Sequence, residues 1–357
     1  MLLNTLTVAR SVGPESDYRA DGEQRLTTLT VARSVGPEPD YQAGAVQRLT
    51  CSNTSFSIVH KLMPTKAGIV TVAGRPNAGK STLLNRLVGE HLAITSPKPQ
   101  STRQRVVGLI SDENTQIVLH DTPGLLAPAY ALQSAMQATA LEALRDADVI
   151  VHLVDASEGP VESLAVAAGL PNGLAGHAPI ILALNKTDAL SDVRRVGIAV
   201  EHPDAVLISA RDGTGLPTLL ERIRAVLPEH PFYYPPEDLS TQQMRFFVAE
   251  MVRETALEQL DDEVPYSVAC EIEEFRETRT PVYIRAVLHV ERDSQKRILI
   301  GANGARIKTI GREARVKIER LVGSQVYLDL WVKVLANWRR DSAALRRLGY
   351  RVPEEPK

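Results

Sequence analysis

Cysteine and aromatic residues are scarce in this sequence. Cys51 and Cys270 are the two cysteines among 357 residues, and Trp, Tyr and Phe together make up 4% of the chain. Two cysteines cannot build a disulfide framework or a thiolate zinc site, and they fit a reducing compartment. No stretch approaches the roughly 18 consecutive apolar residues of a membrane-spanning helix. Residues 1–10 also lack the basic and apolar segments of a secretory signal, so we expect a cytoplasmic protein.

A strong excess of charge is absent as well. The chain has 41 Lys and Arg against 43 Asp and Glu, a formal net charge of −2, which neither favours nor excludes nucleic acid as a partner. Apolar residues make up 44% and charged residues 24%, proportions typical of folded proteins. At about 150 residues per domain, the length predicts two or three domains.

A duplication occupies the beginning of the chain. Residues 5–27 and 28–50 are two copies of one 23-residue unit, and 18 of the 23 positions are identical. Two copies are too few for a solenoid, which needs at least about three repeats. We therefore expect residues 1–62 to be a poorly packed leader or translated sequence upstream of a start at Met63. The alternative is a peptide extension that binds a partner.

Short apolar runs alternate with amphipathic stretches from Gly68 to Ala210. The runs suit buried strands at 68–74, 115–121, 148–155, 179–185 and 205–210, with helices between them, such as 81–89 and 131–145. This alternation predicts an α/β domain of the P-loop NTPase type, with a mainly parallel sheet and helices on both faces. Ligands bind such sheets at the carboxyl ends of the strands, where the following motifs fall.

The first motif is GRPNAGKS at 74–81, between a predicted strand and a predicted helix. It matches the P-loop, in which backbone N–H groups surround phosphate oxygens. Lys80 would contact the β and γ phosphates, and Ser81 would ligate Mg²⁺. The predicted phosphate-binding residues are Gly74, Arg75, Pro76, Asn77, Ala78, Gly79, Lys80, Ser81 and Thr82.

The second motif is DTPG, which comprises Asp121, Thr122, Pro123 and Gly124. Asp121 suits the magnesium-side carboxylate, acting through water, and the Gly124 N–H suits a sensor of the γ-phosphate. Alone, DTPG is an ordinary turn, because Pro and Gly are common in loops. Its position about forty residues after a P-loop makes it more specific.

Two further motifs predict selection of guanine. In NKTD, comprising Asn185, Lys186, Thr187 and Asp188, the Asp188 carboxylate can accept hydrogen bonds from guanine N1–H and the exocyclic amine, a donor pair that adenine lacks. Asn185 would brace the loops, and the Lys186 stem would cover the base. After the next strand, Ser209, Ala210 and Arg211 could offer a backbone N–H to the guanine carbonyl.

Residues 96–108 form a polar, proline-containing segment without periodicity, which predicts a loop. A hydroxyl in it would complete the Mg²⁺ shell. We choose Thr102, with Ser101 as the near alternative, so the predicted metal ligands are Ser81, Thr102 and Asp121. A loop held in this way is a switch, ordered by the γ-phosphate and released on hydrolysis.

The residue after DTPG is Leu125, where many GTPases have a glutamine that orients the attacking water. We therefore expect slow hydrolysis and predict that Asn77 ligates a monovalent cation such as K⁺, which would act like an arginine finger. The predicted catalytic set is then Lys80, Asp121, Gly124, Thr102 and Asn77.

A second domain follows a proline-rich stretch at 228–238. The pattern predicts a helix over 242–260, strands over 266–275 and 282–290, a helix over 294–300, the loop GANG at 301–304, a helix over 305–320 and a strand over 325–334. Helix-GxxG-helix beside a three-stranded sheet is the KH arrangement, and the initial helix favours its bacterial, type II variant. Such domains clamp about four single-stranded nucleotides.

Charge supports an RNA-binding role for this loop. Residues 294–351 contain 14 basic and 4 acidic side chains, whereas residues 250–293 contain 5 basic and 12 acidic ones. A basic region around GxxG is the pattern expected for contact with a phosphate backbone. The predicted RNA-binding residues are Ile300, Gly301, Ala302, Asn303, Gly304, Arg306, Lys308 and Arg312.

These motifs together resemble the bacterial Era GTPases, over about residues 64–350. The segments that carry the resemblance are GRPNAGKSTLLNRLVG, QSTRQRVVG, DTPG, NKTD, VPYSV, IGANGARIKTIG, LWVKV and LRRLGY. The resemblance implies a GTP- and GDP-binding regulatory GTPase that binds the 3′ end of 16S rRNA, acts in assembly of the 30S subunit and associates peripherally with the inner membrane. The chain departs from the family in three places: GANG, with Ala302, lacks the basic residue usual inside the loop, the segment after DTPG is apolar, and Ser101 replaces a threonine.

The predicted organisation is a leader at 1–62, a GTPase domain at 63–232, a linker at 233–240, a KH domain at 241–340 and a tail at 341–357. We expect a monomer. The leading functional hypothesis is a slow GTPase whose nucleotide state controls RNA binding. The alternatives are an RNA chaperone that does not depend on nucleotide and a GTPase directed to protein or membrane, with the KH domain as a scaffold.

Overall fold

A computed structural model describes residues 64–98, 100–170, 178–261 and 264–353. The duplicated leader and Met63 lie outside these residues, so the predictions made for them are not addressed. The described residues fall within one compact unit, which contains a six-stranded and a three-stranded sheet.

The six-stranded sheet has the predicted parallel core. Its strands run in the order β2-β3-β1-β4-β5-β6, and β2 is antiparallel to β3 while the other neighbours are parallel. The strands are β1 (Lys66–Ala73), β2 (Val106–Ser111), β3 (Thr115–Asp121), β4 (Val149–Asp155), β5 (Ile180–Asn185) and β6 (Val206–Leu207). The helices around it are α1 (Lys80–Val88), α2 (Ala131–Arg145), α3 (Leu164–Ala167), α4 (Asp192–Glu201) and α5 (Leu216–Val226).

Two predictions about this sheet were wrong in part. Residues 106–108, predicted as loop, begin β2, because Val106 and Val107 are β-branched and pair with β3. The switch loop therefore comprises residues 96–105. The predicted strand at 205–210 is reduced to β6, since the amide of Ser209 bonds to Thr214 in a turn rather than to a neighbouring strand.

The three-stranded sheet belongs to the KH fold in the predicted order. Its elements are α6 (Met244–Glu258), β7 (Ala269–Arg276), β8 (Val282–Val290), α7 (Asp293–Ile300), α8 (Ala305–Val322) and β9 (Val326–Val334). β8 is the central strand, antiparallel to β7 and parallel to β9. Apolar residues of α6 and α8 pack against this sheet in a buried core. The first three residues of the strand predicted at 266–275 belong to a helical turn and its end, so that strand begins at Ala269.

The segment predicted as a tail contains α9 (Ser342–Arg347). Leu345 of this helix and Tyr350 are buried in one cluster with Trp338 and with Leu132 and Met136 of α2. Residues 338–350 thus pack against the GTPase domain. Among the helices of the described residues, none combines the length and the apolar character that crossing a bilayer requires.

Candidate nucleotide site and RNA-binding loop

The P-loop lies between β1 and α1 at the carboxyl end of the sheet and borders a cavity of about 710 Å³. Lys80 is buried, and its Nζ donates to the carbonyl oxygen of Arg75 at 2.8 Å. Burial lowers the pKa of Lys80 to about 8, while the nearby Asp121 carboxylate raises it. An anionic phosphate next to Lys80 would favour its charged form and replace the carbonyl as its partner.

Three oxygen-bearing side chains converge beside Lys80. Ser81 Oγ lies 2.7 Å from Asp121 Oδ2 and 2.8 Å from Thr102 Oγ1, and Thr102 Oγ1 lies 3.2 Å from Asp121 Oδ2. Asp121 Oδ1 is buried and has no hydrogen-bond partner among the described residues. Hydroxyl and carboxylate oxygens are ligands that Mg²⁺ prefers, so this set fits a magnesium ion.

The structure distinguishes the two candidate hydroxyls of the switch loop. The Thr102 hydroxyl is buried within the oxygen cluster, whereas Ser101 is held by its backbone carbonyl, which accepts a hydrogen bond from Arg253 of α6. Burial raises the pKa of Asp121, and Lys80, Ser81 and Thr102 oppose this shift. A cation bound here would hold the carboxylate ionised.

Gly124 lies against the P-loop. A Cβ at this position would come within 2.7 Å of the backbone nitrogen of Pro76, so only glycine fits the approach. The next residue, Leu125, is buried, and its amide donates to the Gly74 carbonyl at 3.0 Å. Asn77 lies on the other side of the P-loop, where its Nδ2 donates to the Pro97 carbonyl at 3.1 Å. Asn77 thus links the P-loop to the switch loop.

The predicted guanine-binding motifs meet at the ends of β5 and β6. Asn185 Nδ2 donates to the Ala78 carbonyl at 2.8 Å, and Asn185 Oδ1 accepts from the Ala210 amide at 2.9 Å, so Asn185 braces the loops as predicted. Thr187 Oγ1 donates to the Ile208 carbonyl at 2.9 Å. Lys186 Nζ pairs with Asp155, at the end of β4, at 2.5 Å. Asp155 was not among the predicted site residues, although a carboxylate that ends a buried strand was a signal for it.

The Asp188 carboxylate is oriented by its neighbours. Ser209 Oγ donates to Asp188 Oδ1 at 2.8 Å, and Arg211 Nη1 lies 3.9 Å from Asp188 Oδ2. Ser209, Ala210 and Arg211 were predicted to offer a backbone N–H to the guanine carbonyl. The Ser209 amide is not available for this role, because it donates to the Thr214 carbonyl. Since the Ala210 amide is bonded to Asn185, the Arg211 amide is the one of the three without an acceptor in the described chain.

Arg103 ties the switch loop to the KH domain. It is buried, and its guanidinium donates to the carbonyls of Val268 at 2.6 Å, Tyr266 at 3.0 Å and Pro265 at 3.4 Å, in the segment that precedes β7. The guanidinium also lies 5.7 Å from the centre of the Trp338 ring. Arg103 directly follows Thr102. The segment that reaches the oxygen cluster of Ser81, Thr102 and Asp121, called the magnesium cluster below, is therefore anchored in the other domain.

α6 makes a second set of contacts with the segment that leads into this loop. The buried Glu254 carboxylate accepts from His91 Nε2 at 3.0 Å, from the Thr95 amide at 3.2 Å and from Lys317 Nζ at 3.0 Å. Its hydrogen bond to Glu254 raises the pKa of His91. Arg253 and Glu254 were not predicted to contact the GTPase domain. The pattern that could have indicated this role is a pair of adjacent charged residues within the apolar stretch of α6.

The GxxG loop has the geometry of a close turn. Gly301 has φ 75°, and a Cβ there would come within 2.9 Å of the Arg306 backbone nitrogen. Ala302 and Asn303 are exposed at its tip, and Lys308 and Arg312 are exposed on α8. Arg306 instead donates to the Ile298 carbonyl at 2.6 Å, which closes the loop. Lys308 and Arg312 are therefore the more available of the three predicted basic contacts.

Comparison with known families agrees with this division of the chain. Residues 69–186 match the family described as 50S ribosome-binding GTPase, and residues 263–339 match the family described as KH domain. The first match includes the P-loop, DTPG and the first residues of NKTD. The second includes the GxxG loop and the three strands around it.

Curated relatives cover both domains. The chain is 42% identical over 299 residues to GTPase Era of Carboxydothermus hydrogenoformans, a match that spans 81% of this chain and 99% of that protein. It is also 42% identical over 304 residues to GTPase Era of Halothermothrix orenii, across 81% of this chain and 100% of that one.

Solved structures support the same relationship. A crystal structure of Era in complex with MgGDPNP and nucleotides 1506–1542 of 16S ribosomal RNA aligns with TM-score 0.74 and 37% identity, over 80% of this chain and 99% of that one. A variant of Aquifex aeolicus Era bound to GDP·AlF4⁻ aligns with TM-score 0.74 and 36% identity, over the same shares. Identity at this level across both domains, together with the nucleotide motifs and the GxxG loop, establishes that the chain belongs to the Era family of GTPases.

Proposed function

We propose that this chain is a slow, GTP-dependent switch that binds the 3′ end of 16S rRNA and acts in 30S subunit assembly. The observation that carries the proposal is the attachment of the switch loop to the KH domain through Arg103. Thr102 joins the magnesium cluster and Arg103 joins the segment before β7, so a change at one site moves the anchor of the other. The Era complex with a 16S rRNA fragment supports the choice of RNA.

The nucleotide site suits in-line attack of water on the γ-phosphate. We assign Lys80 and the P-loop amides to the phosphates, and Ser81, Thr102 and Asp121 to Mg²⁺, which would neutralise the charge that develops on the phosphate oxygens. Asp188 would select guanine. Leu125 is buried and carries no group that could position water, so we expect hydrolysis to be slow. Asn77 remains our candidate for binding K⁺, and equal turnover in potassium and sodium buffers would contradict that role.

The experiment compares RNA affinity in two nucleotide states. The full chain is titrated with a labelled oligonucleotide from the 3′ end of 16S rRNA, once with a non-hydrolysable GTP analogue and once with GDP. We expect tighter binding with the analogue by about 5- to 150-fold, the usual range of coupling between two sites. Equal affinities would exclude the switch and favour the nucleotide-independent chaperone.

Arg103→Gln tests whether the attachment carries the coupling. Because the substitution removes the anchor of the switch loop, the ratio of the two RNA affinities should fall towards one while GTP binding persists. Arg86→Gln is the matched control, since Arg86 also donates to a carbonyl, that of Asp212 at 2.7 Å, but within the GTPase domain. A ratio unchanged in Arg103→Gln would show that coupling takes another route. Peripheral membrane association stays a prediction from the family.

A further inference from the structure

A second basic feature lies away from the GxxG loop. A cavity of about 650 Å³ opens where the switch loop, α2 and the C-terminal segment meet. Its charged lining consists of Arg103, Arg105, Arg346 and Arg351 against one acidic side chain, Glu142. We call this cavity the junction pocket.

The positive charge of the junction pocket is only partly neutralised. Arg351 bonds to Glu142, whereas Arg105 has its acidic neighbour Asp146 at 3.9 Å. Arg346 is exposed on α9, and its side chain has no hydrogen bond or ion pair within residues 64–353 as far as they are described. Two guanidinium groups therefore face the cavity with donors to spare.

One wall of the junction pocket belongs to the nucleotide switch. Arg103 is held by three carbonyls of the KH domain, and Arg105 lies two residues further along the same segment, just before β2. Thr102, on the other side of Arg103, bonds within the magnesium cluster. The position of Arg105 in the pocket thus depends on a segment that the bound nucleotide would order.

We propose that the junction pocket binds phosphate groups of an RNA backbone at a site separate from the GxxG loop. Guanidinium groups bind phosphate oxygens in a planar, paired geometry, so two or three arginines around an open cavity suit a phosphodiester chain. The GxxG clamp holds about four nucleotides, which leaves the phosphates of a longer RNA available to this second site. The proposal rests on the RNA-binding function proposed above and extends it to the GTPase domain.

The site also provides a route for coupling. RNA phosphates on Arg105 and a nucleotide at Thr102 would order one segment of chain, so each ligand should strengthen binding of the other by the same factor. A single-site KH clamp would not require the two arginines to take part in this coupling.

The experiment uses the full chain with Arg105 and Arg346 both replaced by Gln, and two labelled RNAs from the 3′ end of 16S rRNA. One RNA is about four nucleotides long and fits only the GxxG clamp, and the other is several times longer. We expect the double variant to bind the long RNA several-fold more weakly and the short RNA as wild type does. The slope of log affinity against log salt for the long RNA should fall by about 0.7–0.9 for each phosphate group that the variant no longer binds. In addition, the long RNA should strengthen binding of the GTP analogue less in the double variant than in wild type.

Arg194→Gln combined with Arg222→Gln is the charge-matched control, because it also removes two arginines, which lie on α4 and α5 and do not line the junction pocket. Equal affinity and equal salt slope for the long RNA in wild type and double variant would overturn the proposal. If calorimetry then shows inorganic phosphate binding that the double variant lacks, the pocket is a site for free phosphate instead. Failure of wild type to bind either RNA would overturn the proposed function as well, whereas binding of the short RNA alone would overturn only the second site.

Discussion

At the scale of single residues, the proposed recognition of guanine depends on how Asp188 is held. Ser209 donates to one of its oxygens and Arg211 approaches the other, so the carboxylate is oriented before nucleotide arrives. Pre-orientation of this kind lowers the entropy lost on binding. The motif identified the acid, but the partner hydroxyl became apparent only when β5 and β6 were placed side by side.

Asp188→Asn should weaken GTP binding by about 3 kcal/mol, roughly 100-fold, because hydrogen bonds to a charged acceptor contribute about 1.5–3 kcal/mol each. The measurement is titration with a fluorescent GTP analogue. Asp192→Asn, at an exposed carboxylate on α4, should bind GTP as wild type does. Comparable weakening in both variants would mean that the loss reflects general charge rather than base recognition.

Thr102→Val should reduce affinity for a GTP analogue about tenfold or more while leaving GDP affinity nearly unchanged. The reason is that we assign the Thr102 hydroxyl to the Mg²⁺ shell only when the γ-phosphate is present. Titrations with both nucleotides in the presence of Mg²⁺ provide the comparison. Ser101→Ala is the matched control, since the contact that holds Ser101 uses its backbone carbonyl. A larger effect in Ser101→Ala would mean that Ser101, and not Thr102, supplies the hydroxyl of the Mg²⁺ shell.

At the scale of elements, the switch loop and α6 are in direct contact, and the sequence patterns did not predict this contact. The loop lacked periodicity, and α6 was identified correctly by its apolar spacing, yet nothing in either pattern indicated that they touch. The contacts join residues more than 150 positions apart, for example Ser101 and Arg253. Motifs with a fixed local spacing were predictable, whereas pairings that depend on how two domains meet were not. Similarly, β2 was missed because Arg and Gln precede its valines and gave the segment a polar character.

The contact between His91 and α6 should make stability depend on pH. The pKa of His91 is raised by Glu254, with Lys317 opposing it, so the folded state holds a proton more tightly than the unfolded state. This contribution is present below pH 6.5 and is lost as pH rises through the raised pKa. Burial lowers the pKa of His120 and His152 to about 4, so these residues change stability only below pH 6.5. Lys80, whose pKa burial lowers to about 8, also begins to titrate as pH approaches 8 and has the opposite effect on stability, so the effect of replacing His91 must be compared at each pH.

Urea unfolding at pH 6.5 and pH 8 measures this contribution. His91→Gln should lower the urea midpoint at pH 6.5 and should lower it less at pH 8. His202→Gln, at the end of α4 in the GTPase domain, should behave as wild type. If His91→Gln lowers the urea midpoint equally at both pH values, the contact with Glu254 does not contribute to the pH dependence.

At the scale of the whole molecule, the near-zero net charge conceals an acidic and a basic half of the KH domain. The acidic half, residues 250–293, includes the groups that hold the junction with the GTPase domain, whereas the basic half carries GxxG and α9. Counting charge along the sequence revealed this asymmetry. It could not reveal that α9 returns to the GTPase domain, because residues 341–353 have too few apolar positions to show a period. Trp338 and Tyr350 become core residues only through packing against α2.

Trp338 and Tyr350 pack against α2 but follow it only after the whole KH sheet, and this order has a consequence for synthesis. A ribosome makes the GTPase domain first, and domains fold as they emerge. The apolar residues Leu132 and Met136 of α2 then remain without part of their native cover until residues 338–350 have left the exit tunnel. Synthesis of residues 338–350 is therefore the event that covers this face of the nucleotide domain.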